Sequence, residues 1–328
     1  MSQQATAQPL VFDDGRPASV AGWRSFVRGF NRFLRKKRLG AIGLFIVVFF
    51  IFVAVFAPFL SRYDPDQIFQ AENPNYKPNA SLAEIARDPN INSPNIVAQE
   101  LAPSREHWFG TDGVGRDIYA RVVYGARLSL IVGFGASIIA VSVGLVLGLI
   151  SGYYRGSMDL FLQRFVDALQ AFPALVLLLL LVQIAEPSVR NTVLALGVVG
   201  VPITTRLVRS SVLGVSSTDY VSAARAIGAT DKRIMFRHVL PNIAAILLIA
   251  FSIGIGAYIL FEATISFLGV GPNNVVSWGQ MVQEGRAVID LHPWLSIFAG
   301  GAMALLVVGF NFLGDALRDV LDPRLGRS

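Results

Sequence analysis

Leu39–Leu60 reads LGAIGLFIVVFFIFVAVFAPFL, an apolar run without a single charged side chain. At 1.5 Å per residue such a run is long enough to cross the roughly 30 Å of bilayer hydrocarbon as one helix, for which about 20 apolar residues suffice. Further stretches of the same kind follow at Leu128–Tyr154, Ala168–Ala185, Asn191–Leu213, Ile243–Leu268 and Leu295–Gly314, predicting six spans. The fourth carries Arg206 and Arg209. Arg206 lies about 22 Å along a helix starting at Asn191, far enough for its guanidinium to snorkel to the nearer interface. Composition agrees with this reading. Hydrophobic residues make up 53% of the 328 and charged residues 15%, against the roughly 25% charged that soluble domains carry.

Basic residues set the orientation. Arg16, Arg24, Arg28, Arg32, Arg35, Lys36, Lys37 and Arg38 precede the first span, so the N-terminus is expected in the cytoplasm. Six crossings return Arg318, Arg324 and Arg327 to the same side, together with the basic connection between spans four and five. The net charge of +6 is therefore a topology signal, and no nucleic-acid partner is needed to explain it. Residues 61–127 fall outside by parity. Their nine acids exceed their seven bases, and long loops translocate largely regardless of charge. The expected organisation is a cytoplasmic tail (1–38), a first span (39–60), an extracytoplasmic segment (61–127), a five-helix core (128–314) with an inner loop (216–242), and a second tail (315–328). Asn73–Pro103 is rich in Asn, Pro and Ser and predicts an extended segment with at most one short helix near Leu82–Arg87.

Several chemistries are excluded. There are no cysteines, and His107, His238 and His292 do not pair at ligand spacing, so neither thiolate chemistry nor a metal site is expected. No GxxxxGK loop, HExxH or GxSxG occurs. No short apolar core followed by a small-residue cleavage site opens the chain, so no secretory leader is expected. Gly110–Asp117 lacks the alternating ligands and final Glu of a calcium loop and reads as a capped turn leading into a helix at Ile118–Arg127.

In the second span Ala136, Ala140, Gly144, Gly148 and Gly152 recur every four residues, stacking small side chains on one face. That stripe fits either packing within the chain or a contact with another subunit. Glu262 is the one acid well inside the fifth span, some 29 Å from Ile243 and near the outer interface. It reads as an outer gate, a contact for a peptide amine, or an interfacial acid bonded to a neighbouring helix or to the Ser266–Gly271 turn. Gln183 and Asp167 bracket the third span, and Gln183, Arg206 and Glu262 are the candidate pathway residues. Trp108 and Trp278 read as interfacial anchors on the outer side, with Trp278 also a candidate contact for a delivering protein.

The most informative stretch is Ser217–Asn242, STDYVSAARAIGATDKRIMFRHVLPN. Asp219 is suited to cap a short helix over Tyr220–Ile227, which Gly228 would end in the left-handed conformation. Thr230 or Asp231 would cap a second helix through Ile234 and Phe236, which Pro241 stops or passes on to the fifth span. The first helix would expose Ala223, Ala224 and Gly228 for close approach of another protein. The second carries Ile234, Met235 and Phe236 beside Lys232, Arg233 and Arg237. An interfacial helix lying on lipid headgroups is the competing reading.

Ser222-Ala223-Ala224, three residues, Gly228, nine residues, His238, one residue and Leu240-Pro241 resemble the EAA loop of ABC-importer permeases, with Ser222 for Glu and His238 for Ile. Further stretches resemble the dipeptide/oligopeptide permeases: Phe33–Lys37, Ala57–Leu60 with Tyr63–Pro65, Phe109–Asp112 with Gly115–Asp117, Tyr124–Leu130, Glu262 with Ser266–Gly271 and Ser277–Gly279, and Arg318-Asp319 with Leu321–Arg324. The large connection after the first span resembles the C-type subunit of the pair. The resemblance implies an all-α polytopic membrane protein with the type I importer (MetI-like) permease fold. It implies a non-catalytic subunit that binds no cofactor itself, with ATP and Mg held in two ATP-binding subunits. Its implied partners are a B-type permease, an extracytoplasmic substrate-binding protein and membrane lipid. In that family the loop docks on the ATP-binding subunit, which would give Asp219, Tyr220, Ser222, Ala223, Ala224, Arg225, Gly228, Lys232, Arg233, Phe236, Arg237, His238, Leu240 and Pro241 their role. A stand-alone secondary transporter would instead favour acids near the bilayer centre and broken helices there. An intramembrane hydrolase would need one of the missing motifs.

Overall fold

A computed structural model describes residues 37–321. The basic N-terminal residues before Lys37, with most of the Phe33–Lys37 stretch, and the Asp322–Arg324 end of the last motif lie outside the described residues.

Helix α1 spans Arg38–Val55 and is followed by the short α2, Ala57–Leu60. Five of the described helices are long and apolar enough to cross a membrane, or six spans if a bent pair of shorter helices is counted as one. Helix α4 (Ile118–Tyr154) begins at Asp117, whose side chain accepts the Ala120 N–H at 2.7 Å. The expected helix at Ile118–Arg127 and the second span prove to be one element of 37 residues, because nothing between Arg127 and Leu128 interrupts the helical hydrogen bonds. The element is about 55 Å long and overshoots the hydrocarbon by about 25 Å.

The expected third span at Ala168–Ala185 is not a single helix. Helix α5 (Gly156–Gln170) and helix α6 (Ala174–Ile184) meet at 83° across Ala171-Phe172-Pro173. Pro173 lacks an N–H and disfavours a helical Phe172, so the chain turns there. The leucine run belongs to α6 alone, about 16 Å of helix, and the crossing is a bent pair.

Helix α7 (Val189–Ser216) follows, capped by Ser188. Then come α8 (Asp219–Ala226), α9 (Asp231–Ile234), a π-helical turn (Met235–Val239) and α10 (Leu240–Phe267). Helix α11 (Trp278–Arg286) and the last span, α12 (Trp294–Leu321), complete the bundle.

The small-residue stripe resolves into packing within the chain. Ala136 and Ala140 are fully buried, and Gly144, Gly148 and Gly152 lie against α7. A Cβ on Gly148 would stand 2.6 Å from both the Thr205 carbonyl oxygen and Val208 Cβ. Only small residues permit this approach, so α4 and α7 form the central pair of the bundle. On the other side of α4, α1, α10 and α12 close a core around Phe50, Ile255, Ile259, Leu306 and Phe310.

Outside the spans, α3 (Leu82–Arg87) sits at the residues the sequence indicates. Ser81 and Glu84 form a reciprocal capping box, and the backbone and Lys77 bonds to the Glu84 carboxylate lower its pKa to about 2. A two-stranded antiparallel sheet, β1 (Gln70–Glu72) with β2 (Asn95–Val97), was not anticipated; strands of three residues carry no readable alternation. This small module is pinned to the bundle. Phe109 stacks on Phe298 with centroids 3.9 Å apart, and Arg116 bonds Glu284 at 3.1 Å.

Candidate functional site

The inner loop is a built structure. Thr218, not Asp219, occupies the N-cap position of α8; Asp219 is its first helical residue, favourably placed for the helix dipole. The shift of one residue puts Ser222 at the fourth helical position, where a Glu could not complete a capping box. At the other end the Ala229 N–H reaches the Ala224 carbonyl and the Gly228 N–H the Arg225 carbonyl, with Gly228 at φ +82°, a Schellman ending. Thr230 caps α9 by accepting the Arg233 N–H. Pro241 does not stop that helix: it comes just after the π-helical turn Met235–Val239, and the helical ladder continues past it with the bond of its missing N–H left out. Asp231–Phe267 is consequently one unbroken helical run of 37 residues from the loop through the membrane.

Burial divides the loop in two. Val221, Ile234, Met235 and Val239 turn inward onto Leu149, Tyr153, Val208 and Val212. Ala224 was expected to face a partner and is instead buried, because it shares the inward face of α8 with Val221. The outward side presents Tyr220, Ser222, Ala223, Arg225, Gly228, Lys232, Arg233, Phe236 and Arg237, all exposed. Ile227 is 86% exposed and Phe236 63%. Apolar side chains this open, ringed by cations, are the composition of a docking surface. His238 is half-buried, its ring 6.4 Å from that of Tyr220, and its carbonyl accepts from Asn242 at 2.6 Å; Leu240 packs against the inward cluster.

Two ties hold the loop to α4. The Tyr153 hydroxyl donates to Asp231 Oδ1 at 2.7 Å, and the Arg225 guanidinium lies 5.9 Å from the Tyr153 ring centre. Neither was visible in the sequence, where Tyr153 and Asp231 are 78 residues apart. Arg206 and Arg209 do not simply snorkel. Arg209 makes a two-pronged bond to Asp159 at 2.6 and 2.7 Å, and Arg206 meets Asp167 at 2.5 Å, both acids on α5. Two acids eight residues apart on one segment and two arginines three apart on the next were the available signal.

Between α7 and α10 runs a groove of about 610 Å³. Gly200, Ile203, Thr204 and Leu207 form one wall and Ile253, Tyr258 and Phe261 the other, with Arg318 at one end. It is largely apolar, and Ile203 and Ile253 on its two walls are exposed. Gln183, Arg206 and Glu262 do not line it. Gln183 is exposed on α6. Glu262 is 0% exposed and points away, accepting from Ser266 at 2.7 Å and from Ser277 at 2.9 Å. Trp278, expected at the membrane interface, is also 0% exposed: its indole donates to the Val122 carbonyl at 2.9 Å and packs edge-on to Phe50. Its reach toward α4, past Gly125, makes it a core residue. Trp108 is exposed.

Comparison with known proteins follows the same lines. The family described as the inner membrane component of binding-protein-dependent transport systems matches residues 144–327, and the N-terminal TM domain of oligopeptide transport permease C matches residues 23–78. The dipeptide transport system permease protein DppC of Alkalihalophilus pseudofirmus is 40% identical over 308 residues, 94% of this chain and 91% of that protein. The glutathione transport system permease protein GsiD of Pectobacterium atrosepticum is 36% identical over 92% of this chain and 91% of its own length. Among solved structures, an inward-facing form of the MetNI methionine ABC transporter superposes with a TM-score of 0.55 at 19% identity, covering 62% of this chain and 98% of that one; this likeness concerns the fold. The chain belongs to the family of inner membrane components of binding-protein-dependent transport systems, as a multi-pass transmembrane permease subunit of an ABC importer.

Proposed function

We propose that this chain is the C-type half of a heterodimeric permease importing di- or oligopeptides, and that Thr218–Asn242 receives the stroke of an ATP-hydrolysing subunit. The carrying observation is the unbroken helix Asp231–Phe267: its first turns belong to the loop, and its middle forms a wall of the groove. A push on the loop therefore reaches the groove along one continuous helical run, through the π-helical turn at Met235–Val239. Tyr153 and Arg225 tie the same loop to α4, and α4 packs along its length against α7, which supplies the other wall.

The groove is one half of a passage, completed by a B-type permease across the same face. Its apolar wall would accept peptide side chains of many kinds, which suits a route whose selectivity lies in an extracytoplasmic binding protein. Peptide as cargo rests on the N-terminal family match and on relatives named for dipeptide and glutathione transport. ATP and Mg belong to two separate ATP-binding subunits, docked through Ile227, Phe236 and the surrounding cations. Ser222 and the exposed Ala223 and Gly228 are the positions for close approach.

Purification of the tagged chain without crosslinker tests this reading. Co-isolation of a second permease and two ATPases is expected, with ATP-dependent uptake of a labelled dipeptide by the reconstituted complex. A lone chain that transports unaided would overturn it.

A further inference from the structure

Glu262 is fully buried on α10, on the side away from the groove, while its neighbours Tyr258 and Phe261 line the groove. Its Oε1 accepts two hydroxyl bonds, one from Ser266 on its own helix and one from Ser277, the residue that caps α11 through the Gly279 N–H. Its Oε2 has no protein partner, and among the described residues no cation stands within ion-pair distance. A buried carboxyl in a membrane protein is costly, and two hydroxyls on one oxygen satisfy it incompletely, so burial here is poor value as a static strut.

The same short helix is fixed elsewhere by bonds that need no acid in the membrane. Trp278 donates to Val122 on α4, and Glu284 near the end of α11 accepts from Arg116. At Gly279 any side chain would run into the Ala263 backbone, so α11 lies directly on the outer half of α10. The Glu262–Ser277 bond ties the groove-lining helix to the N-terminal end of the outer helix, and among the described residues the other polar contact between the two is the Arg286 guanidinium 5.9 Å from the Phe267 ring centre at the far end.

We propose that Glu262 is a positioning residue, a latch that holds α11 to the outer half of α10 in this conformation and releases it when the passage changes its access. The proposal rests on the importer reading above. It differs from a role in substrate contact, because the carboxyl would act as an acceptor for Ser277 and its negative charge would be dispensable.

The chain has no cysteine, so Met281→Cys, at a position of α11 that is buried in this conformation, gives a clean reporter for a membrane-impermeant maleimide applied to the assembled complex. Glu262→Ala should raise its labelling rate about fivefold, the shift expected from loss of one hydrogen bond to a neutral acceptor. Glu262→Gln keeps an acceptor oxygen and should label and transport near the parent level. Ser277→Ala removes the donor of the same bond, should label as fast, and carries the test if Glu262→Ala fails to assemble, while Ser277→Thr, which keeps the hydroxyl and the α11 cap, should label near the parent level. Parent-like labelling in both alanine variants overturns the latch. So does a Glu262→Gln variant as impaired as Glu262→Ala, which would assign the work to charge. If the parent complex takes up no dipeptide, the cargo assignment fails while the labelling comparison still judges the latch.

Discussion

Tyr153, the next-to-last residue of α4, donates its hydroxyl to Asp231, the first residue of the helix that climbs back from the inner loop. This bond fixes the loop to α4 while its helical continuation fixes it to α10. Tyr153→Phe keeps the ring and its packing under Arg225 and removes only the bond. The loss should destabilise the loop by about 0.5–1.5 kcal/mol. Amide exchange over 219–239 should quicken while that of α4 stays slow; unchanged exchange would remove the tie from the mechanism.

Gly228→Val addresses the docking surface. Nothing lies within 4 Å of a Cβ at this position, so the chain has room for the side chain, but φ of +82° disfavours any L residue. The strain is about 1–3 kcal/mol for a β-branched side chain, confined to one turn. Insertion and assembly of the bundle should survive, and ATP hydrolysis should lose its coupling to uptake. A variant with normal coupling would count against this loop as the contact.

The α4–α7 seam gives a contrast between two glycines. At Gly148 even a methyl meets Thr205 and Val208 at 2.6 Å, and overpacking of this kind costs about 1–3 kcal/mol. Gly214, near the end of α7, has open space around it, and Gly214→Ala should stabilise by about 0.4–1 kcal/mol. Thermal unfolding in detergent should show Gly148→Ala lowered and Gly214→Ala unchanged or raised. The reverse order would refute the seam.

The short helix α3 outside the spans should resist acid. Its Glu84 has a folded pKa of about 2, below the ordinary 4.5. A depressed carboxylate contributes stability that is fully present above the unfolded value and is lost as pH falls through the folded one. Exchange protection of the Ile85 and Asp88 amides, bonded to Ser81 and Glu84, should persist at pH 5 and decline only as the pH drops from about 4.5 toward 2. Glu84→Gln should flatten that decline.

The spans were legible because membrane helices announce themselves by length and absence of charge, and the inner loop because its caps and its left-handed glycine are local. What the sequence hid lies between distant residues. The bend at Phe172-Pro173 was masked by the leucines beside it, since hydropathy counts apolar residues and ignores a lost N–H. Trp278 looked interfacial because outer tryptophans usually are, yet its burial depends on Gly125 of another helix leaving room. Ala224 faced inward for a similar reason: small residues suit a docking face and a tight core alike. The groove could not be foreseen at all, since it exists only where α7 and α10 diverge.

Residue-specific crosslinking from the loop of the assembled complex tests the central claim most directly. With no native cysteine to interfere, Ile227→Cys, 86% exposed in the inner loop, can be compared with Leu82→Cys, equally open on the extracytoplasmic module. A short bifunctional reagent should join Ile227→Cys to an ATP-hydrolysing subunit and leave Leu82→Cys unjoined to it. Labelling of Ile227→Cys by an impermeant reagent from the outer face, or no product with that subunit, would contradict the account.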